Sequence, residues 1–173
     1  LKITGINPGE NKVITAAGEL RYDYLVIAGG TTPNFYGNKE IQQYAIPLKS
    51  IPDALNLRSQ LMQVLEQAEI TDDPVKRKPL LSFVLVGAGP TGVEPAGALA
   101  ELRKFVLPKD YPSIDFSEME IHLIEGADRV LPPMSVKASA RAKKDLEKLG
   151  VVVHLNKFVE SYDGDTIRFK DGN

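Results

Sequence analysis

The chain is 173 residues long, 43% hydrophobic and 25% charged, with a net charge of −2 and no cysteine. That length suits one domain with a real core, and the charge balance argues against nucleic acid, whose phosphates demand an excess of Lys and Arg. The missing cysteine excludes disulfides, thiolate metal sites and a redox dithiol within these residues, and no stretch reaches the roughly 18 apolar residues that cross a bilayer.

In chain order, the opening Leu1-Lys2-Ile3-Thr4-Gly5 reads as strand rather than signal peptide. Residues 12–15, after the Pro8-Gly9-Glu10-Asn11 turn, read as a second strand, and residues 22–28, after Gly18, as a third. Its Leu25-Val26-Ile27-Ala28 run is apolar on both faces, the pattern of a buried strand. Residues 29–52 are predicted irregular, because Gly29, Gly30, Pro33, Gly37, Pro47 and Pro52 oppose regular structure. Asp53 is the predicted N-cap of a helix that carries Leu57, Leu61, Val64, Leu65 and Ala68 at helical spacing to about Ile70. Thr71-Asp72-Asp73-Pro74 ends it and opens a polar linker, in which Lys76-Arg77-Lys78 reads as a solvated loop.

Beyond the linker, strand and helix alternate. Residues 83–86 form a short apolar strand, 91–105 a helix rich in Ala and Leu, and 119–125 a second strand. Residues 135–149 are amphipathic, with Ala138, Ala142, Leu146 and Leu149 on one side, Gly150 closes that helix, and 151–155 form a third strand. The order β-α-β-α-β predicts an α/β, Rossmann-like fold with a right-handed parallel sheet. Residues 158–162 and 166–169, joined by Asp163-Gly164-Asp165, add a hairpin. The chain opens without Met and stops at a turn signal, Lys170-Asp171-Gly172-Asn173, as expected of a segment of a longer protein.

The chemistry centres on Gly87-Ala88-Gly89-Pro90-Thr91-Gly92, which follows a strand read as buried and opens a helix. In that setting Gly87 permits the tight turn, Gly89 lets the backbone approach a pyrophosphate and Gly92 allows close helix-on-strand packing. The N–H groups of the first helical turn and the positive end of its dipole then face the phosphates. Ala96 and Ala100 keep the helix close to the sheet. The alternative reading is a turn that serves packing alone.

Glu125 closes the next strand, where an acid accepts hydrogen bonds from ribose hydroxyls. It lies farther along than the usual spacing of about 20 residues, an excess supplied by the insertion Leu107-Pro108-Lys109-Asp110-Tyr111-Pro112-Ser113. An acid here repels a 2′-phosphate and favours NADH over NADPH; Arg129 is the one feature that softens that preference. The alternative for Glu125 is an ordinary exposed strand-end acid.

Val86-Gly87-Ala88-Gly89-Pro90-Thr91-Gly92-Val93-Glu94 resembles the second nucleotide motif of type II NADH dehydrogenases, the single-subunit NADH:quinone oxidoreductases. Residues 22–30 followed by Asn34-Phe35-Tyr36-Gly37 resemble that family's strand and loop at the crossing from flavin domain to NADH domain, and Glu125-Gly126-Ala127-Asp128-Arg129-Val130-Leu131-Pro132 its acid-ending strand and turn. The resemblance implies that residues 1–50 are flavin-domain strands and crossing loop, with Gly29 and Gly30 at the flavin, and residues 51–173 an NADH-binding domain. Its implied cofactors are NADH and, in the full-length protein only, FAD, with electrons passing on to a quinone. Glu94 would lie near the nicotinamide and flavin rings and shape the site; its bottom-up alternative is a first-turn acid that complements the helix dipole.

Three features depart from the family: Ala28-Gly29-Gly30 stands where Ala-Thr-Gly is usual, Pro95 where Leu is more frequent, and the flavin domain's own glycine-rich motif is absent. The fragment is therefore expected to bind NADH weakly or moderately, hold no FAD and not turn over by itself. The implied location is cytoplasmic, with the parent protein peripheral on the inner face of the membrane through parts outside these residues. Exposed strand edges invite pairing between chains as a homodimer.

Other readings compete. A disulfide or ferredoxin reductase with its cysteines elsewhere shares this nucleotide domain, and residues 1–52 count against a non-catalytic NAD-sensing module, which would have no use for a flavin-facing strand and crossing loop. No residues stand at metal-ligand spacing: His122 and His154 lie in separate predicted strands and read as structural histidines. Tyr22, Tyr24, Phe35 and Tyr36 read as core and loop-packing aromatics, and no Ser, His and Asp arrangement suggests nucleophilic catalysis.

Overall fold

A computed structural model describes residues 1–172. Contacts divide the chain into two compact units, Leu1–Thr32 and Pro33–Asn173.

The first unit is an antiparallel meander of β1 (Ile3–Asn7), β2 (Lys12–Thr15) and β3 (Gly18–Arg21) in that order. Asn11, at φ 52°, makes the first turn and Gly18, at φ 122°, completes the second. The third predicted strand is not formed. Residues 22–28 take up no ladder, and Tyr24, Val26 and Ile27 are exposed at 94%, 86% and 76%. A strand apolar on both faces is stable only between other layers, and among the described residues no neighbouring strand or covering helix meets this run.

The second unit opens with a turn in which Tyr36 (φ 52°) and Gly37 (φ 78°) adopt left-handed backbone. Asn38 then caps α1 (Lys39–Tyr44), a helix within the segment read as irregular, and its side-chain amide donates to Glu160 O at 2.8 Å. Residues 33–50, grouped by sequence with the first segment, thus pack inside the second unit. Tyr36 and Tyr24 stand in solvent instead of packing.

The long helix α2 (Ile51–Glu69) begins earlier than predicted. Its N-cap is Ser50, and Asp53 is the N3 half of a capping box: Ser50 Oγ accepts the Asp53 N–H while Asp53 accepts the Ser50 N–H at 2.8 Å. Leu65 and Ala68 turn the buried face to the core. The segment read as linker is α3 (Pro74–Leu80), capped by Asp73. Arg77 is not solvated there but pairs with Glu118 at 3.3 Å.

The parallel sheet runs β4 (Ser82–Val86), β5 (Glu120–Ile124) and β6 (Val152–His154), in that order; β4, read from sequence as buried, is an edge strand whose Val84 and Val86 are exposed at 40% and 62%. Between β4 and β5 lie α4 (Pro90–Phe105) and the four-residue α5 (Leu107–Asp110). The insertion is thus folded: its Leu107 is buried in the core, as are Ile114 and Phe116 just beyond it. α4 runs unbroken through Pro95, at a position where a residue's N–H would have bonded inside the helix. α6 (Val136–Lys148) returns the chain to β6. Its buried face is Ser139, Ala142, Leu146 and Leu149, so Ser139 takes the place expected of Ala138, and the Ser139 hydroxyl donates to Val130 O at 2.5 Å. The hairpin β7 (Val159–Tyr162) and β8 (Ile167–Phe169) completes the unit.

One contiguous core fills the space between sheet and helices, with Leu65, Leu81, Ala96, Ala100, Ile121 and Leu123 fully buried. Each large aliphatic among them contributes about 1.5–3 kcal/mol by leaving water. Among the described residues no helix is long and apolar enough to cross a membrane.

Candidate functional site

The parallel register pairs Val86 with Ile124, which brings Gly87 and Glu125 side by side at the carboxyl ends of β4 and β5. There the chain must leave the sheet and enter α4. Gly87 makes the turn at φ +97°, a conformation that side chains resist, and its N–H donates to Ile124 O at 2.7 Å.

Ala88 is buried and both its backbone groups are used: the N–H donates to Glu125 Oε2 at 2.6 Å and the carbonyl accepts Leu131 N–H at 2.7 Å. Gly89 is the N-cap of α4, and its carbonyl accepts the N–H groups of Gly92 and Val93 at 3.0 and 2.9 Å. No side chain caps this helix and Pro90 brings no N–H, so among the described residues the amides of Gly89 and Thr91 have no protein acceptor. A Cβ on Gly89 would meet nothing within 4 Å, whereas one on Gly92 would lie 1.8 Å from Gly87 O. One glycine leaves room for an outside group and the other leaves room for the turn itself.

The second oxygen of Glu125 is occupied as well, accepting Ala127 N–H at 2.8 Å. Its main chain is held from β6: Glu125 N–H donates to His154 O at 2.8 Å and Glu125 O accepts Lys157 N–H at 3.0 Å. Gly126 packs so closely on Phe158 that a Cβ would come within 2.6 Å of the ring. Arg129 donates to Pro132 O at 2.9 Å and keeps a buried Nε with no partner among the described residues.

Of the residues singled out by sequence, Gly87 to Gly92 and Glu125 thus come together, while Glu94 stands exposed one turn into α4. Gly29 and Gly30 belong to the first unit, with open space where side chains would be and Gly30 at φ +72°. A surface hollow of about 560 Å³ lies elsewhere, between Arg103, Ile114, Phe116 and Leu149. Arg103 there is structural, its guanidinium donating to Met119 O and Leu149 O at 2.8 and 2.6 Å.

Sequence reasoning also missed a contact between the two histidines. Two residues apart in register on neighbouring strands, His122 and His154 place Nδ1 and Nε2 3.1 Å from each other, and Glu120 approaches the far nitrogen of His122 at 3.4 Å. Burial, with help from His122 and Lys157, pushes the His154 imidazole below its ordinary pKa. The carboxylate faces the wrong nitrogen to join a shared ion, and among the described residues no metal-holding group forms.

A glycine turn with two unbonded amides, beside a strand-end acid, is an arrangement for an anion next to a polyhydroxylated group. The pattern of the pyridine nucleotide-disulphide oxidoreductase family matches residues 1–173. The type II NADH:quinone oxidoreductase Ndh of Mycobacterium tuberculosis is 42% identical over 152 residues, covering 88% of this chain and 33% of that protein. The solved structure of NDH2 from Plasmodium falciparum in complex with NADH superposes with a TM-score of 0.78 at 29% identity, over 91% of this chain and 33% of that one. A ferredoxin reductase from Rhodopseudomonas palustris, 18% identical with a TM-score of 0.60 over 99% of this chain and 37% of that one, shares the fold. The chain therefore spans about a third of the length of the relatives it matches.

Proposed function

The chain belongs to the pyridine nucleotide-disulphide oxidoreductase family, and we propose that it is the NADH-binding part of an FAD-dependent NADH:quinone oxidoreductase. The observation that carries this reading is the union of the Gly87–Gly92 turn with Glu125 across adjacent parallel strands. The amides of Gly89 and Thr91 hold the pyrophosphate at the open end of α4, and the space beside Gly89 admits it. Glu125 accepts hydrogen bonds from the adenosine ribose hydroxyls and disfavours a 2′-phosphate, and Arg129, whose guanidinium donates to Pro132 O, is the one feature that softens that preference.

Residues 1–50 supply flavin-domain strands and the crossing loop, with Gly29 and Gly30 toward the flavin, and residues 51–173 the NADH domain, with which the loop's residues 33–50 pack as one unit. Glu94 shapes the region near the nicotinamide. When bound in the parent protein, FAD supplies the acceptor for the hydride of NADH and the relay of two electrons to a quinone. The relatives named as NADH:quinone oxidoreductases support this assignment over a ferredoxin reductase, whose likeness is confined to the fold.

Calorimetry on the chain tests the nucleotide half: NADH binds more tightly than NADPH, and equal affinities would sink the cofactor assignment. The parent protein tests the rest. It should purify yellow and reduce a soluble quinone with NADH; a colourless protein that binds NADH would instead be a sensor.

A further inference from the structure

Resting on that nucleotide reading, we propose that Glu125 is also the positioning residue that locks the glycine turn, so that nucleotide preference cannot be reversed at this position without loosening the phosphate cradle. Both carboxylate oxygens already hold backbone donors before any ligand arrives, Oε2 the Ala88 N–H at 2.6 Å and Oε1 the Ala127 N–H at 2.8 Å. A carboxylate offers about four acceptor directions, so the ribose hydroxyls still find lone pairs. Hydrogen bonds to a charged acceptor are the stronger kind, and Ala88, buried, has no water to turn to. The acid is itself clamped by His154 O and Lys157 N–H. Glu125 therefore joins β5, the turn and the start of α4 into one piece.

Glutamine at this position separates the two duties. It matches glutamate in size, yet only one end of its head group accepts. Since both partners are N–H donors, either orientation of the amide turns an N–H toward an N–H, and Ala88 or Ala127 loses its acceptor. The loss reaches the pyrophosphate through the turn, whether or not the ligand carries ribose hydroxyls.

The experiment titrates ADP and 2′,3′-dideoxy-ADP against the chain and its Glu125→Gln variant by calorimetry, and follows amide hydrogen exchange of both ligand-free proteins by NMR. In the variant both nucleotides bind at least about tenfold more weakly, exchange accelerates at Ala88 or Ala127, and NADPH affinity does not rise although the repelling charge is gone. Unchanged dideoxy-ADP affinity, unchanged exchange at both amides, or a gain in NADPH affinity overturns the proposal and leaves Glu125 a reader of ribose alone. If the unsubstituted chain binds neither analogue, the nucleotide reading fails, while the exchange data still decide whether Glu125 holds the turn. Should the variant not fold, the unsubstituted chain decides by itself: the Ala88 and Ala127 amides must exchange far more slowly than that of Thr91, and equal rates refute the lock.

Discussion

Replacing Gly92 by alanine is the sharpest test of the turn. The new Cβ would stand 1.8 Å from Gly87 O and 3.0 Å from Gly87 C, both backbone atoms. Ordinary contact needs about 3.5 Å, so turn and helix must separate by roughly 1.7 Å. Neither side yields easily. Behind Gly92, Leu123 Cδ1 would lie 3.5 Å from the new carbon, and Ala96 and Ala100 are fully buried along α4. On the other side the turn is held by Gly87 N–H to Ile124 O at 2.7 Å and by the two bonds of Ala88. A shift of that size carries at least one of these beyond hydrogen-bonding distance, which costs about 1–3 kcal/mol for the orphaned group, and the residual overpacking adds about 1–3 kcal/mol. Gly92→Ala should therefore lose about 2–6 kcal/mol in urea denaturation followed by circular dichroism, and with it nucleotide binding. Gly89→Ala is the matched control. Its Cβ meets nothing and its φ of −72° suits alanine, so stability should stay within about 0.5 kcal/mol while NADH affinity falls, because the methyl fills the space left for the pyrophosphate. A Gly92→Ala protein as stable as its parent would refute the close-approach argument.

Three further outcomes follow from particular residues. His154 is held below its ordinary pKa by burial, next to His122 and Lys157. The folded chain therefore takes up its proton less readily than the unfolded one, and stability present above about pH 6.5 declines as the pH falls through that value toward the lower folded one; His154→Phe should flatten the change in Tm between about pH 7.5 and about pH 5.5, and an unaltered slope would remove His154 as its cause. The carboxylate of Asp163, drawn down to about 2 by the N–H groups of Thr166 and Asp165 and by Arg168, lies outside that window. Ser50→Ala breaks the capping box of α2 and should cost about 0.5–2 kcal/mol in chemical denaturation, whereas no loss would mean that Asp53 suffices. Val26→Ser, at a position 86% exposed, should change the stability of the chain by less than about 0.5 kcal/mol; a core-sized loss would restore the buried strand that the apolar run suggested.

Periodicity read the βαβαβ unit well because each helix and strand there buries one face against the next. The hairpin and the Gly150 stop, at φ +82°, were equally legible, since left-handed turns select few residue types. Residues 22–28 went the other way: their composition reports layers that the described residues do not contain. α3 escaped because Lys76-Arg77-Lys78 and Pro79 carry no apolar period, and its anchor, Glu118, lies far along the chain. The meeting of His122 with His154 escaped for a similar reason, since it depends on parallel register alone.

The spacing of the acid from the glycine turn shows which distances matter. Glu125 stands farther along the chain than the usual interval of about 20 residues, and a count of residues alone would weigh against its role. In space the excess disappears. α5, through its buried Leu107, folds the inserted stretch onto the core, where Ile114 and Phe116 follow it, and the ladder then resumes with Val86 beside Ile124. The geometry demands only that the acid leave β5 where Gly87 leaves β4, because from there its carboxylate reaches the Ala88 amide. Length between the strands is therefore free, whereas a one-residue slip of β5 against β4 would point the acid to the opposite face of the sheet and deprive Ala88 of its only acceptor among the described residues. The chain tolerates the insertion and does not tolerate the slip.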